Sequence, residues 1–515
     1  MSEPTLYELL ARSARSSPDA VAVATADHQV ALSYGDLERR AEQFASELCR
    51  LGIGQSETVA IVSDNCMEFV IALFGVVAAG AIAAPISTRL AGPELAKRLA
   101  TIRASATVVP EHLRAEVSER IPGHPLWSIA LSSDSGGVPS ATICAPARRL
   151  DVERPAAVHP PGQADVALLM MTGGTTAAPK VVPLTHTNLA ASVAGICATY
   201  GLDGGDATLL VTPLTHGHGL IAGLLATLAS GGTAYCPRAR RFSAHTFWPE
   251  MIAARATWYT AVPTVHQILL ARAADEYPHD HPVPLRFIRS CSAAIAPAVV
   301  DSVEATFHVP LISAYGMTET THQATSNPLP TRGPRKESSV GLPTDLELRI
   351  AALDGRAAAP GTTGEVQVRG RTVMAGYVDN PRANASAFVD GWFRTGDLGV
   401  LDPDGYLFLK GRIKELINRG GEKIFPAEVD GVLLSDPKVL DAASFGVPDP
   451  KYGEEIHAAV VLRPGQTATA AELRDHCARS LGGFEIPKTF VFVSELPRTA
   501  KGTVDRRSLT QSFHR

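Results

Sequence analysis

Short apolar runs alternate along the chain with alanine-rich stretches of helical spacing, and this alternation predicts layered α/β structure. The runs ETVAIVS, ATVVP, VALLMM, ATLLVT and RFIRS are too short for helices and are typical of buried strands. Beyond about Gly364 the pattern changes to glycine-punctuated, alternating runs, GEVQVRG, GWFRTGDLG and GYLFLKG. We therefore expect a large N-terminal domain of α/β subdomains that ends in a β-rich subdomain.

The last hundred or so residues have a pattern of their own. After GRIKELINRGGEKIFP, helical EVDGVLL and ELRDHCARSL alternate with strand-like FGVPD, AAVVLRPG and TFVFVSEL, which predicts a separate α+β domain. We place the boundary so that residues 1–411 form the N-terminal domain and residues 412–515 the C-terminal domain. The segment 132–163 is rich in turn residues and is predicted to be an exposed connection.

One uncharged stretch, FVIALFGVVAAGAIAAPI (69–86), has the length of a short membrane span. Gly75, Gly80 and Pro85 interrupt it, and its alanines are only weakly apolar. We predict a buried helix that ends near Ala79, a stop at Gly80 and a buried strand after it. Integral membrane association is therefore not expected.

Composition narrows the class of protein. With 515 residues the chain exceeds the size of one hydrophobic core, while 45% hydrophobic residues and a net charge of -5 describe an ordinary soluble protein. It lacks the basic surplus that nucleic-acid binding requires. The seven cysteines form no C-x-x-C pair and the start lacks the apolar core of a secretion signal, so a reducing cytoplasm is expected.

The segment MMTGGTTAAPKVVPLTH (170–186) is the first candidate for chemistry. Its glycines let backbone N–H groups approach anionic oxygens, its threonines donate hydrogen bonds and Lys180 adds positive charge. No G-K-[ST] sequence follows, so an ordinary P-loop is disfavoured. On these residues alone, either a phosphate-binding loop or a plain polar turn remains open.

Six further motifs follow in order: PLTHGHG (213–219), SCSAAIAP (290–297), AYGMTETTH (314–322), GWFRTGDLG (391–399), GRIKELINRGGEKIFPAEVD (411–430) and FGVPDPKYGEE (445–455). Together with the loop, they resemble the adenylate-forming superfamily of acyl-CoA synthetases, non-ribosomal adenylation domains and luciferases. The third, fifth and sixth motifs are most similar to the oxalate:CoA ligase branch. The resemblance implies an AMP-forming acyl-CoA synthetase that uses ATP, Mg²⁺ and CoA.

The resemblance also implies roles for individual residues. Thr175, Thr176 and Lys180 would hold the triphosphate, Thr318 the α-phosphate and Glu319 the magnesium ion. Asp397 would accept the ribose hydroxyls with help from Arg412, and Tyr315 would line the adenine. The other residues implied at the nucleotide are Thr172, Gly173, Gly174, Ser292, Ala293 and Gly316.

Three histidines, His216, His218 and His322, are expected around the acid-binding pocket. Metal ligation is disfavoured because no third ligand is evident for the i, i+2 pair in its glycine-rich turn. If the histidines cluster, their partial positive charge would suit the second carboxylate of a short dicarboxylate such as oxalate. Alternatively, they simply line a pocket for an aliphatic acid.

The C-terminal domain is implied to be mobile and to rotate between two half-reactions about a hinge at Lys414. Gly420 and Gly421 would then let the pantetheine arm pass close to the backbone. Superfamily members carry a catalytic lysine directly after the glycine of their last motif, where LPRTAKGTVDRR has Thr503. Lys501 therefore replaces that lysine, or adenylation proceeds slowly with other cations, or the chain has another task.

The sequence thus predicts an enzyme that activates a small carboxylic acid, oxalate or another short polar acid, and transfers it to CoA. A fatty acid as substrate, a carrier-protein thiol or an amine as acceptor, and a weakened nucleotide-binding protein remain as alternatives.

Overall fold

The computed structural model describes residues 4–124, 126–133, 139–144, 161–172, 179–280, 282–352, 356–498 and 504–513, without the side chains of 126–133 and 139–144. Across these ranges the strands form four sheets. Two large, mainly parallel sheets are followed by two smaller, mainly antiparallel ones, as the change of pattern near Gly364 predicts. The predicted α/β class, with a β-rich unit after the large layers, agrees with this arrangement.

The first large sheet contains the long uncharged stretch of the sequence. That stretch forms the helix Met67–Ala78, turns at Gly80 with φ of 75°, and continues as the strand Ile82–Ile86, which confirms the predicted helix, stop and strand. Within the described ranges, no helix combines the length and apolar character needed to cross a membrane. The strands of this sheet lie in the order Pro139–Cys144, Leu126–Ser133, Ala106–Pro110, Thr58–Val62, Ile82–Ile86, Val166–Met171 and Val181–Thr185.

The second large sheet faces the first across the main hydrophobic core. Phe44, Ile61, Phe69, Leu220 and Ile312 are buried together there, and they come from both sheets and from the helices between them. Burial on both faces explains why the strands are apolar runs rather than alternating ones. The strand order is Leu342–Pro343, Thr325–Ser326, Leu311–Tyr315, Phe287–Ser290, Trp258–Ala261, Ala207–Leu209, Thr233–Cys236, Val21–Thr25 and Ala31–Ser33.

The two smaller sheets correspond to the β-rich unit and the C-terminal domain. The first contains Glu347–Ala351, Gly364–Arg369, Trp392–Leu401, Phe388–Val389 and Leu407–Arg412; the second contains Glu422–Ile424, Ile417–Arg419, Gly453–Leu462, Val439–Asp449 and Thr489–Phe492. A single 3₁₀ turn, Ile413–Glu415, connects the last strand of one to the first strand of the other.

Helices cover the sheets and also form part of the core. The α-helices are Leu6–Ser16, Tyr34–Arg50, Met67–Ala78, Gly92–Thr101, Arg114–Arg120, His186–Tyr200, Ala226–Ala229, Ala244–Ala253, Pro263–Ala271, Ala273–Glu276, Pro297–Phe307, Pro381–Ala387, Pro426–Leu434, Ala470–Cys477 and Arg506–Phe513. A π-helical segment spans His218–Leu225, and 3₁₀ turns lie at Glu111–Leu113, Thr318–Thr320 and Ile413–Glu415.

The segment 132–163, predicted to be an exposed connection, contains a strand where it is described, and its residues 134–138 and 145–160 lie outside the described residues. The strand Leu126–Ser133 extends into the start of this segment. A second strand, Pro139–Cys144, pairs with it in antiparallel register, with Ile129 opposite Ile143. The short run ATIC has the alternation typical of a strand. It was not predicted as one because the glycine, proline and serine residues around it are typical of turns.

Candidate active site

A hairpin frames the predicted phosphate loop. The strands Val166–Met171 and Val181–Thr185 pair in antiparallel register. Thr172 N–H donates to the carbonyl oxygen of Lys180 (2.9 Å), and Lys180 N–H donates to Thr172 Oγ1 (3.3 Å), so these two residues close the mouth of the loop. Between them, the predicted triphosphate residues Thr175 and Thr176 and the predicted nucleotide residues Gly173 and Gly174 lie outside the described residues.

A tyrosine joins the loop lysine to the acidic residue of AYGMTETTH. Lys180 Nζ lies 4.2 Å from the ring centroid of Tyr377, a cation–π contact. Tyr377 Oη donates to Glu319 Oε1 at 2.9 Å, and the Glu319 side chain is buried. Burial, and then the nearby carboxylate, raise the pKa of the Tyr377 phenol, so it remains a hydrogen-bond donor. Tyr377 thus contacts a cation through its ring and a carboxylate through its hydroxyl.

This donor set suits a magnesium ion that is shared with a substrate. Among the described residues, no group of three or more His, Cys, Asp or Glu side chains could hold a metal by itself. Mg²⁺ commonly takes only one or two protein carboxylates and completes its shell with water and substrate phosphates. Glu319 would supply such a carboxylate, and the ion would offset the negative charge of the triphosphate.

The predicted nucleoside residues form a continuous chain of contacts. Asp397 and Arg412 are direct partners on the antiparallel strands Trp392–Leu401 and Leu407–Arg412, and Arg412 Nε lies 3.0 Å from Asp397 Oδ1. Tyr315 Oη donates to Asp397 Oδ2 at 2.6 Å. Burial raises the pKa of Asp397, and the ion pair with Arg412 opposes this effect. The carboxylate is therefore held from two sides.

The segment between Tyr315 and His322 turns back on itself so tightly that position 316 must be glycine. A Cβ atom there would lie 1.5 Å from the carbonyl oxygen of His322. The turn is closed by His322 N–H, which donates to Met317 O at 3.0 Å. Within it, the 3₁₀ turn Thr318–Thr320 presents the predicted phosphate and magnesium residues.

Three residues at this site have left-handed backbone conformations that side chains other than glycine rarely adopt. Ser292 has φ of 74°, Thr321 φ of 51° and His322 φ of 76°. Hydrogen bonds hold Thr321 in place: its carbonyl oxygen accepts from Ser192 Oγ and its hydroxyl donates to Thr372 O, both at 2.6 Å. Strained backbone of this kind concentrates at binding and catalytic sites.

Two of the predicted histidines stack against each other. The rings of His218 and His322 lie 5.0 Å apart between centroids at an angle of 23°, and both side chains are buried. His218 Nδ1 is 3.0 Å from Ser292 Oγ and His218 Nε2 is 2.5 Å from Thr260 Oγ1. His322 Nε2 is buried and has no hydrogen-bond partner among the described residues. The two histidines therefore form a buried polar cluster with Ser292 and Thr260.

Burial lowers the pKa of both imidazoles well below the usual range of histidine, so both are neutral at physiological pH. His216 lies near enough to contribute to this effect on His218. His218 also begins the π-helical segment His218–Leu225, a widened turn that often marks a functional site. Neutral imidazoles can donate to a carboxylate without changing charge near neutral pH.

Other predicted residues lie apart from these contacts. Ala293 is exposed next to Ser292, and Lys414 is exposed in the 3₁₀ turn Ile413–Glu415. Gly420 and Gly421, with φ of 62° and 98°, form the two-residue turn between the strands Ile417–Arg419 and Glu422–Ile424. Lys501 and Thr503 lie outside the described residues.

A family model described as "AMP-binding enzyme" matches residues 10–378, and one described as "AMP-binding enzyme C-terminal domain" matches residues 428–503. The chain belongs to the AMP-binding enzyme family. This finding confirms the resemblance to adenylate-forming enzymes that the motifs predict.

Similar proteins place this AMP-binding enzyme more narrowly. It is 43% identical to an oxalate–CoA ligase of Arabidopsis thaliana, over 100% of this chain and 99% of that protein. It is 38% identical to a sulfoacetate–CoA ligase of Cupriavidus necator, over 98% and 97%. The o-succinylbenzoate coenzyme A synthetase of Bacillus subtilis, solved with ATP and a magnesium ion, superimposes with a TM-score of 0.81 at 28% identity, over 99% of this chain and 100% of that chain.

These similarities confirm the predicted enzyme class. The AMP-binding enzyme is an AMP-forming acyl-CoA synthetase, with ATP, Mg²⁺ and CoA as its nucleotide, metal and thiol. They also confirm the α/β fold with a large N-terminal and a smaller C-terminal domain.

Sequence reasoning missed several residues of the site. Tyr377 lies in MAGYVDN, where nothing in the sequence alone distinguishes it from any other tyrosine. Thr260 lies within the buried strand Trp258–Ala261, where its sequence position suggests only packing. Arg289 carried a signal that could have been noticed, because a charged residue inside the apolar run RFIRS is unusual.

Proposed function

We propose that this acyl-CoA synthetase activates oxalate and transfers the oxalyl group to CoA. A carboxylate oxygen of oxalate attacks the α-phosphorus of ATP, which gives oxalyl-AMP and releases pyrophosphate. The sulfur of CoA then attacks the oxalyl carbonyl carbon, loses its proton, and displaces AMP to give oxalyl-CoA. The second carboxylate takes no part in bond making and remains charged throughout.

The histidine pair is the observation that carries this proposal. The wall formed by His218, His322 and Ser292 is polar, and His322 belongs to the same tight turn that presents Thr318 and Glu319. A long aliphatic chain would leave the buried His322 Nε2 without a hydrogen-bond partner, at a cost of about 1–3 kcal/mol. A short acid with a second charged group would supply the missing acceptor for His322 Nε2. The oxalate–CoA ligase relative supports the same assignment.

We further propose the roles of the residues around the reacting atoms. Lys180 would contact the triphosphate together with Thr172, Gly173, Gly174, Thr175 and Thr176. Thr318 would contact the α-phosphate, Glu319 would hold magnesium, and Asp397 with Arg412 would bind the ribose. The adenine would lie between two short segments. One contains Tyr315 and Gly316, and the other contains Ser292 and Ala293. The contact chains through Tyr377 and Asp397 support these positions.

The C-terminal domain, proposed to begin at residue 412, would rotate about Lys414 between the half-reactions. Gly420 and Gly421 would border the pantetheine arm, since the second has open space at its Cα. Lys501 is proposed to act in place of the lysine expected at position 503. CoA, rather than a carrier-protein thiol, is the proposed acceptor. The cytoplasm is the proposed compartment, because the six cysteines whose side chains are described are free.

Pyrophosphate release from ATP and magnesium tests the proposal. The acids would be oxalate, sulfoacetate, acetate and a long-chain fatty acid, each with and without CoA. We expect oxalate to give the highest kcat/KM and CoA to be required for release of AMP. A preference for the fatty acid would contradict the proposal, and oxalate-dependent turnover without CoA would indicate another acceptor.

A further inference from the structure

An arginine is fully buried behind the histidine pair. Arg289 lies in the strand Phe287–Ser290, and its side chain has 0% exposure. Its Nε donates to Tyr200 Oη (2.9 Å), one Nη donates to Thr260 Oγ1 (3.0 Å) and the other to Gln323 Oε1 (2.9 Å). All three partners are neutral, so hydrogen bonds orient the guanidinium without offsetting its charge.

No ion pair among the described residues includes Arg289. By contrast, Arg286, three residues earlier in the chain, forms an ion pair with Asp206. A guanidinium stays charged even when buried, and a buried charge without a counter-charge is strongly unfavourable. A buried charge of this kind marks a candidate binding site for an anion.

The uncompensated charge borders the acid pocket. Thr260 Oγ1 accepts from Arg289 and is also 2.5 Å from His218 Nε2, so Thr260 links the guanidinium to that imidazole. His218 Nδ1 in turn lies 3.0 Å from Ser292 Oγ, which extends the chain of hydrogen bonds to Ser292. Hydrogen bonds in such a chain polarise one another.

Unused hydrogen-bonding capacity surrounds the same arginine. His322 Nε2 and Gln323 Nε2 are buried and have no partner among the described residues. Gln323 neighbours the arginine directly, because its Oε1 accepts from the guanidinium. A positive charge and unpaired polar atoms in one place indicate a site built for an anion.

We propose that Arg289 is a positioning residue that makes the pocket selective for acids with a second negative charge, acting through Thr260, His218 and Ser292. This inference rests on the proposed function and specifies its substrate class. The charge of Arg289 also helps burial to keep the imidazoles neutral, since it lowers the pKa of His218 and of His322. His216 and His266 act on His218 in the same direction. The positive charge therefore resides on arginine, which does not titrate.

Oxalate and oxamate give a matched test, because oxamate has the same size but carries a neutral amide in place of the second carboxylate. We expect the unmodified enzyme to prefer oxalate in kcat/KM. Arg289→Met should lower kcat/KM for oxalate roughly 100-fold, mainly through KM, as for loss of one partner of a buried charge pair. The value for oxamate should change by less than about threefold. Arg289→Lys should recover part of the preference for oxalate.

Arg286→Met is the matched control, because it removes a partly exposed arginine that already has a carboxylate partner. It should leave the ratio of oxalate to oxamate unchanged even if the protein becomes less stable. Equal losses for both acids in Arg289→Met would indicate a packing role and overturn the inference. Equal use of the two acids by the unmodified enzyme would overturn it regardless of whether any variant folds.

The same assay separates this inference from the proposed function. If the enzyme does not activate oxalate but activates sulfoacetate, which also carries a second negative charge, the proposed substrate is wrong. The inferred selectivity for acids with a second negative charge then stands. If the preferred acid carries only the reacting carboxylate, both are wrong.

Discussion

Substitution of Gly316 by alanine tests whether the tight turn sets the position of the reacting groups. The new Cβ would lie 1.5 Å from the His322 carbonyl oxygen, whereas such contacts essentially never fall below 3.0 Å. The two backbone segments must therefore separate by at least about 1.5 Å. Because the turn carries Thr318, Glu319 and His322, a shift of this size should lower kcat about 100-fold or more.

Pyrophosphate release with saturating ATP, magnesium and acid would measure the effect of Gly316→Ala, and thermal unfolding would show whether the domain remains folded. Gly431→Ala is the matched control, since a Cβ at that helix position meets no atom within 4 Å. The control should keep full activity and be slightly more stable, because alanine favours a helix by about 1 kcal/mol over glycine. A Gly316→Ala enzyme with unchanged kcat and unfolding temperature would refute the argument.

Three further predictions concern other parts of the site. Asp397→Asn should weaken ATP binding by roughly tenfold or more through loss of charged hydrogen bonds, measured by isothermal titration. Because burial raises the pKa of Asp397, ATP affinity of the unmodified enzyme should fall with decreasing pH at a higher pH than for an ordinary aspartate, and the variant should lack this step. Glu319→Gln should raise the magnesium concentration required for half-maximal rate, and an unchanged magnesium curve would exclude its role. Lys501→Ala should slow acyl-adenylate formation if it replaces the missing lysine, and Thr503→Lys should then give no further gain.

The sequence predicted the elements well where burial alone determines them. The five apolar runs became strands of the two large sheets, and Gly80 ended the helix Met67–Ala78 as expected. The reason is that a strand buried on both faces has an apolar signal of its own, independent of its neighbours. The pairing of Leu126–Ser133 with Pro139–Cys144 was missed because its signal is short and surrounded by turn residues.

The candidate site was predictable only as far as its motifs reach. His218 and His322 were expected near each other, but the sequence could not show that they stack or that Thr260 and Ser292 hold His218 from both sides. Such contacts join residues 30 or more positions apart and depend on how the sheets pack. The proposed role of Arg289 was equally unpredictable from the sequence. It depends on the lack of a carboxylate partner among the described residues, which no sequence pattern indicates.

The left-handed conformations of Ser292, Thr321 and His322 have a consequence for engineering and for evolution. Each such residue costs about 1–3 kcal/mol, which glycine would recover at the same position. Glycine at positions 292 and 322 would relieve this strain but would also remove two of the side chains that we propose to line the acid pocket. Stability and discrimination oppose each other at these residues, so a thermostable enzyme that still selects its acid must gain its stability elsewhere.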